Sequence, residues 1–262
     1  MTDGECVELL QWALPRLGLR WDGFRKVRRQ VCRRVARRLD ALGLTDGAAY
    51  RRHLEAHAEE WAELDRCCRI TISRFWRDRA VFETLRDLVL PALGPSVAAW
   101  SAGCASGEEP YSLVLAAIDA GVAIDVLATD VDAGLLDRAR AARYPESSLR
   151  DLPAGLRARA FDDGRLHLAV RGRVHLVQHD VRDDPPPGPF DLVLCRNVAF
   201  TYFADDVQRT VAEHLRRSLR HGGALVVGAH ETPPADRLEP WLPARGVWRR
   251  ADVAWAPGGR SP

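Results

Sequence analysis

The sequence predicts an α/β protein: a doubly wound, mostly parallel sheet preceded by a small all-helical domain. From Met1 to about Leu93 the apolar residues recur at helical spacing, whereas after Pro95 short apolar runs alternate with helical patterns. Strands that alternate with helices form parallel sheets with right-handed crossovers. We therefore place a helical domain at residues 1–93 and an α/β domain at 94–262. A short insertion at about 145–173 breaks the alternation.

The clearest helix of the first domain spans residues 24–42, and Gly43 is placed to end it. Its apolar face consists of Val27, Val31, Val35, Leu39 and Leu42. Further helices are expected from Thr45 or Asp46 through Trp61, and over 78–90, where Pro91 would end the helix.

Short apolar runs define the elements of the second domain. The predicted strands are 97–102, 124–129, 174–178, 190–195, 224–229 and 248–255, with short strands near 166–170 inside the insertion. The predicted helices are 108–120, 133–143 and 205–219.

Composition excludes several classes of protein. With 262 residues, 47% hydrophobic and 28% charged, the chain is not disordered, collagen-like or a disulfide scaffold. The net charge of +2 by itself indicates no polyanionic partner. The basic residues are nevertheless clustered between Arg25 and Arg38, and Lys26 is the single lysine among 38 basic residues.

The sequence also predicts a cytoplasmic location. Residues 1–10 lack the basic start of a secretory signal, and no apolar run approaches the ~20 residues of a membrane span. The six cysteines form no C-x-x-C pair, so we expect reduced thiols and no metal site.

The segment WSAGCASGEEPYS, Trp100–Ser112, is the strongest local signal. It follows a predicted strand and opens a helix, and Gly103 lets the backbone approach a ligand closely. Glu108 and Glu109 would repel a phosphate, which favours a ligand with a positive group such as an α-amino group or a sulfonium. Alternatively, one of the two glutamates only complements the helix macrodipole.

Three more polar positions follow predicted strands. Asp130 ends the second strand, where it can accept hydrogen bonds from ribose hydroxyls, and Asp132 suits the N-cap of the next helix. Asp180 is placed to contact an adenine amino group or, equally, to serve as a loop-turn aspartate. The segment CRNVAFTYF, Cys195–Phe203, lies at the carboxyl end of a central strand, where open α/β sheets bind ligands.

Together these segments resemble the CheR-type chemotaxis receptor methyltransferases. The resemblance is carried by ITISRFWRD, WSAGCASGEEPYSL, LATDVDAGLLDRAR, CRNVAFTYF and LRHGGALVVGAHE, in this order. It implies a Rossmann-like methyltransferase sheet that binds S-adenosylmethionine and releases S-adenosylhomocysteine. It also implies methyl transfer to glutamate carboxylates of membrane receptors.

By resemblance, the turn with Gly103 belongs to the cofactor site. Glu109 is similar to the residue that binds the methionine amino group, and Asp130 to the residue that binds the ribose. Asp180 and Val181 resemble the pair on the adenine side.

The remaining site residues also follow from the resemblance. Arg196–Asn197 would line the cofactor, and Ser73 and Arg77 would contact it near the methyl group. Thr71 stands where the family typically has asparagine. Tyr202 is similar to the tyrosine that faces the sulfonium, although the segment before it is one residue longer than usual. The insertion, which corresponds to the family's β-subdomain, is several residues short.

The expected reaction is in-line displacement at the sulfonium methyl. A carboxylate acceptor is already ionised at neutral pH and needs no general base, so orientation and removal of water would supply the catalysis. Arg77 is the candidate that steers the carboxylate, unless it only pairs with Asp78 or Glu83. His179 could act as a base for another acceptor, and Glu231 could face the substrate.

Several acceptors and roles stay open. The arginine-rich helix suits the acidic surface of a helical, receptor-like protein. The short insertion keeps a small-molecule acceptor open, and a non-catalytic S-adenosylmethionine-binding module is a further alternative. Nucleic-acid binding is disfavoured because the arginines lack interleaved aromatic residues that stack on bases.

Overall fold

The computed structural model describes residues 1–234 and 238–251. The described chain forms two compact units, one of residues 1–71 with 201–207 and one of residues 72–200 with 208–234 and 238–251. This division differs from the predicted boundary at residue 93. The helical segment 79–93 belongs to the second unit because Phe82, Leu85 and Val89 are buried in the core of that unit.

The first unit is helical. Its elements are α1 (Asp3–Ala13), a 3₁₀ turn (Leu14–Leu17), α2 (Trp21–Phe24), α3 (Arg28–Leu42), α4 (Gly47–Ala56) and α5 (Glu60–Cys68). Helix α3 ends at Gly43, whose φ of 68° confirms the predicted left-handed cap. Asp46 caps α4 by accepting from the Ala49 N–H.

A buried polar cluster ties three helices of this unit together. The Glu60 carboxylate, 3% exposed, accepts from Arg38 Nε at 2.9 Å and Nη2 at 2.6 Å, and from the Tyr50 hydroxyl at 2.8 Å. These donors hold the pKa of Glu60 below its usual value, Arg38 contributing most. Arg38 of the arginine-rich helix α3 is therefore bound to a carboxylate within the first unit.

The expectation of reduced thiols is wrong for one pair of cysteines. Cys6 in α1 and Cys32 in α3 form a disulfide with their Cα atoms 5.9 Å apart. Because α1 and α3 pack side by side, residues far apart in sequence reach bridging distance, and no spacing motif announces this. The four other cysteines, Cys67, Cys68, Cys104 and Cys195, are free.

The second unit is built on the predicted doubly wound sheet. Its strands are β1 (Ser96–Ala102), β2 (Ala123–Asp130), β5 (Val174–Gln178), β6 (Phe190–Cys195), β7 (Leu219–Val227), β8 (Leu238–Leu242) and β9 (Val247–Arg250), with a separate pair β3 (Phe161–Asp162) and β4 (Arg165–Leu166). The sheet order is β5-β2-β1-β6-β7-β9-β8. The first five strands are parallel, whereas β9 runs antiparallel to both of its neighbours.

Helices connect these strands. They are α6 (Arg79–Thr84), a π turn (Leu85–Val89), α7 (Leu90–Leu93), α8 (Glu108–Asp119), α9 (Ala133–Ala141), α10 (Glu146–Leu149), α11 (Ala154–Ala160), α12 (Leu168–Arg171), α13 (Ala199–Tyr202) and α14 (Asp205–Ser218). Helical structure continues past Pro91, contrary to the prediction. The π turn ends at Val89 and α7 begins at Leu90, so Pro91 lies in the first turn of α7. A proline is tolerated there because the N–H that it lacks would have no helical partner.

Two local predictions need correction. The short strands expected near 166–170 are the β3–β4 pair followed by α12, so only Leu166 lies in a strand. The predicted late strand 248–255 corresponds to β9, which ends at Arg250, and its last residues lie outside the described chain. Among the described residues, no helix is long and apolar enough to cross a bilayer.

Candidate functional site

The candidate site lies in the second unit, at the carboxyl ends of three adjacent strands. In the sheet order, β1 stands between β2 and β6, so the chain leaves β1 toward one side and returns on the other. Ligands of doubly wound sheets bind at such a switch point. The turns after β1, β2 and β6 carry the predicted Gly103, Asp130 and Arg196.

The turn after β1 is held tightly against β2 and β6. The Gly103 and Cys104 N–H groups both donate to the Thr129 carbonyl, at 2.8 and 2.9 Å. Gly103 has a φ of 76°, and a Cβ there would lie 2.8 Å from Cγ2 of Val198. Only glycine fits this conformation and spacing without strain. The close approach of this turn to a ligand stays a prediction.

Asp130 organises the same turn. One carboxylate oxygen accepts from the Ala105 N–H at 2.9 Å, and the other from the Asp132 N–H at 3.0 Å. The contact of Asp130 with ribose hydroxyls stays a prediction. The predicted N-cap is confirmed, since Asp132 accepts from the Leu135 N–H at 3.1 Å.

Glu109, in the first turn of α8, is fixed from two sides. Ser101 Oγ donates to Oε1 at 2.9 Å, and Arg196 Nη1 donates to Oε2 at 3.2 Å. Burial raises the pKa of Glu109 above its usual value, and the charge of Arg196 is the largest effect that opposes this. A buried, oriented carboxylate of this kind suits the ammonium group of a ligand.

Glu108 differs from its neighbour. It is 4% exposed, and its two carboxylate oxygens accept from Ser106 Oγ at 3.2 and 3.0 Å. Burial raises the pKa of Glu108, and hydrogen bonds from Ser106 and Ser73 oppose the rise. Ser73, predicted to contact the cofactor, lies near enough to lower the pKa of Glu108, and its contact with a cofactor stays a prediction.

Arg196 links β6 to the segment before α6. Its side chain is 1% exposed, and Nη2 donates to Asp78 Oδ2 at 2.8 Å and to the Arg77 carbonyl at 3.0 Å. The guanidinium also lies 5.2 Å from the ring centroid of Phe82. Sequence reasoning missed this role of Asp78, and its only signal was an acidic residue directly after Arg77.

Arg77 is left to face outward. Its Nη1 donates to the Ile72 carbonyl at 3.0 Å. The alternative of a pair with Asp78 or Glu83 is wrong, because Asp78 contacts Arg196 and Glu83 pairs with Arg79 at 2.7 Å. The positive charge of Arg77 opposes the rise that burial causes in the pKa of Glu109, but less than that of Arg196 does.

Strained backbone occurs at several of these turns. Of the six described non-glycine residues with positive φ, four lie here, at Trp76 (58°), Asp78 (60°), Ala105 (48°) and Asn197 (57°). Such conformations cost on the order of 1–3 kcal/mol each and persist where surrounding contacts fix them. Their clustering around the Arg196 contacts is typical of a functional site.

Asn197 and Glu231 form a structural bridge between β6 and β7. Oε2 of Glu231 accepts from the Asn197 N–H at 2.7 Å and from the Gly228 N–H at 2.6 Å. Glu231 is only 8% exposed, and this oxygen holds two strand ends together. A role of Glu231 toward a substrate stays a prediction. The contact of Asn197 with a cofactor stays a prediction.

On the side of β5, the structure favours the loop-turn interpretation of Asp180. Its carboxylate accepts from the Arg182 N–H at 2.9 Å and forms an ion pair with the Arg182 guanidinium at 2.6 Å. Val181 beside it is buried. His179, the candidate base, has Nε2 2.8 Å from the Asp184 carbonyl and is thereby engaged with the backbone. The adenine contacts of Asp180 and Val181 stay predictions.

Two predicted residues belong to the first unit. Thr71 Oγ1 accepts from Arg34 Nη2 at 3.3 Å. The Tyr202 ring lies 5.1 Å from that of Phe24, and its carbonyl accepts from the Arg20 N–H at 2.9 Å. Both are held locally in that unit, and their roles at a cofactor stay predictions.

Comparison with known proteins decides the family. The family model described as CheR methyltransferase, SAM binding domain, matches residues 71–241. The chain belongs to the CheR methyltransferase family. It is an S-adenosylmethionine-dependent methyltransferase, as the sequence predicts.

Curated relatives of this CheR-family chain are identical to it at about a third of the aligned positions. A chemotaxis protein methyltransferase of Listeria monocytogenes is 33% identical over 198 residues, which cover 71% of this chain and 75% of that protein. A probable chemotaxis protein methyltransferase of Rhizobium etli is 32% identical over 223 residues, covering 77% and 83%. An uncharacterized 104.1 kDa protein of Rhodobacter capsulatus is 30% identical over 217 residues; this chain spans only 23% of its length.

The acidic side chains of the site fit S-adenosylmethionine. When bound, this cofactor supplies an activated methyl group. The largely buried Glu109 carboxylate would hold its ammonium group, and the Asp130 carboxylate would accept from its ribose hydroxyls. Among the described residues, no cluster of His, Cys, Asp and Glu could hold a metal ion.

Proposed function

We propose that this CheR-family enzyme methylates side-chain carboxylates of an acidic, helical, receptor-like protein. The observation that carries the proposal is the state of Arg77. Its acidic neighbours pair with other arginines, and within residues 1–234 and 238–251 no ion pair includes it. A partly exposed arginine without an acidic partner, next to a buried carboxylate cluster, is suited to receive an acceptor carboxylate.

The chemistry asked of the protein is then small. A glutamate acceptor is ionised at neutral pH, so no proton has to be removed before transfer. This agrees with the engagement of His179, the candidate base, with a backbone carbonyl. Arg77 would hold the acceptor carboxylate in line with the methyl group, and orientation of this kind can supply roughly 7–11 kcal/mol of the barrier.

The arginine-rich helix supports a protein acceptor. Of its basic residues, Arg34 and Arg38 are used inside the first unit, where they bind Thr71 and Glu60. Arg29, Arg33 and Arg37 are exposed and follow one another at intervals of four residues, on one face of α3. We call these three arginines the stripe; none of them forms an ion pair with another described residue. Exposed positive charges on one helix face complement an acidic helical surface and raise the rate of association with such a protein.

Transfer from labelled S-adenosylmethionine to acidic helical proteins tests this function. We expect a product that releases volatile methanol on base treatment, as a carboxyl methyl ester does. Charge reversal of the stripe, R29E/R33E/R37E, should raise KM for the protein acceptor at low salt and leave the Kd for S-adenosylmethionine unchanged. Base-stable label, or label found only on a small molecule such as an amine or thiol, would contradict the proposal and support the small-molecule alternative.

A further inference from the structure

Three charged groups form a continuous chain at the centre of the site. Asp78 Oδ2 lies 2.8 Å from Arg196 Nη2, and Arg196 Nη1 lies 3.2 Å from Glu109 Oε2. The Arg196 side chain is 1% exposed and that of Glu109 14%, so water screens these charges little. Asp78, at 38%, forms the outer end of the chain.

Asp78 sets the charge balance of this group. Glu109 and Arg196 alone would make a neutral pair, and Arg77, whose carbonyl contacts Arg196, adds a positive charge. Asp78 supplies a second carboxylate, so the four groups together are neutral, whereas without Asp78 they would carry a net charge of +1. Asp78 therefore removes a repulsion that a positive ligand would otherwise meet.

Cofactor and product differ by the same unit of charge. S-adenosylmethionine carries a sulfonium, an ammonium and a carboxylate, for a net charge of +1 at neutral pH. S-adenosylhomocysteine has lost the sulfonium charge and keeps the other two. A negative group near the site therefore favours the cofactor over the product. Asp78 is 38% exposed, but it contacts the buried Arg196, so part of its charge acts through a region that water screens little.

We propose that Asp78 is a specificity-determining residue that raises affinity for the sulfonium cofactor relative to its uncharged product. The proposal rests on the proposed placement of the methionine ammonium at Glu109. It assigns Asp78 an electrostatic role that acts through Arg196. It predicts that Asp78 affects the two ligands unequally, which a purely structural role would not do.

Calorimetric titration of Asp78→Asn with each ligand tests this. Asparagine keeps an oxygen that can accept from Arg196 and removes only the charge. We expect the Kd for S-adenosylmethionine to rise about 10-fold and that for S-adenosylhomocysteine to change less than about twofold. Asp78→Glu, which keeps the charge, should retain the wild-type ratio of the two constants.

The outcomes separate the two proposals. Equal weakening of both ligands in Asp78→Asn, or no change in either, would overturn the role of Asp78. Glu109→Gln should weaken both ligands together, because both carry the ammonium. If Glu109→Gln binds both normally, the ammonium site is wrong, whatever the ratio measured for Asp78→Asn.

Discussion

Replacing Glu109 by glutamine separates what its carboxylate costs the fold from what it contributes to binding. Glutamine keeps the shape of the side chain and an oxygen for the Ser101 hydroxyl at 2.9 Å, and it removes the charge that faces Arg196 at 3.2 Å. A charge-assisted hydrogen bond to a ligand contributes about 1.5–3 kcal/mol. We therefore expect the Kd for S-adenosylmethionine to rise roughly 10- to 100-fold.

The stability of the unliganded protein should change in the opposite direction. Burial raises the pKa of Glu109, so the folded state binds a proton more tightly than the unfolded state does. The ionised form thus costs stability at neutral pH, and that cost disappears as the pH falls below the usual range of a glutamate. Glu109→Gln should have a Tm equal to or higher than that of the wild type at pH 7, with the difference shrinking in acid.

Glu108→Gln is the matched control. Glu108 is also buried with a raised pKa, but its carboxylate accepts from the Ser106 hydroxyl, whereas that of Glu109 pairs with Arg196. We expect a similar change in Tm and a Kd for S-adenosylmethionine within about twofold of the wild type. Calorimetry gives the two constants and thermal melts give the Tm values. A wild-type Kd in Glu109→Gln, or an equal loss in Glu108→Gln, would refute the assignment of Glu109 to the ammonium.

Three further predictions follow from the described contacts. Arg77→Ala should lower kcat/KM by roughly 10- to 100-fold, since it removes the proposed charge-assisted contact with the acceptor carboxylate. The Tm should stay unchanged, because only one backbone contact, with the Ile72 carbonyl, is lost. Unchanged turnover in a steady-state assay would contradict the proposed role. Glu60→Ala should lower the free energy of unfolding in urea by about 3 kcal/mol, because it leaves Arg38 partly buried without its carboxylate. Since the pKa of Glu60 is lowered, its stabilisation should be present at neutral pH and lost in acid. A variant as stable as the wild type would show that the cluster contributes nothing. Gly121 has a φ of 71° and open space around a Cβ, so Gly121→Ala should lower the free energy of unfolding by about 1–2 kcal/mol. Gly103→Ala should lower it more and also weaken cofactor binding, because its Cβ would meet a side chain at 2.8 Å. Equal losses in the two variants would show that the close contact at Gly103 is easily relieved.

Much of the sheet could be predicted because strands leave a local record. The predicted strands 174–178 and 190–195 coincide with β5 and β6. The strand predicted at 224–229 begins earlier, at Leu219, because the polar residues before Ala224 resemble a turn although Leu219 pairs with Phe190 of β6. Pairing with a distant strand, and not the local apolar run, sets that boundary.

The candidate site was only partly predictable. Asp130 and Glu109 stand out because their positions after a strand and at a helix start limit what they can do. The role of Asp78 could not be found, since its partner Arg196 is 118 positions away in the sequence. The sequence allows two interpretations of Asp180, an adenine contact and a loop-turn aspartate. Its ion pair with Arg182 depends on the local conformation of the loop, which spacing alone does not give.

The sequence by itself determined the order of the elements, the doubly wound sheet and the acidic residues that follow its strands, because apolar periodicity and capping depend on neighbouring residues. Only the tertiary structure decided which charges remain available. Packing brings Cys6 within bonding distance of Cys32 and pairs Arg38 with Glu60. It also pairs Arg196 with both Asp78 and Glu109. Arg29, Arg33 and Arg37 remain exposed to solvent. These pairings depend on distances between residues far apart in the chain, which no local pattern records.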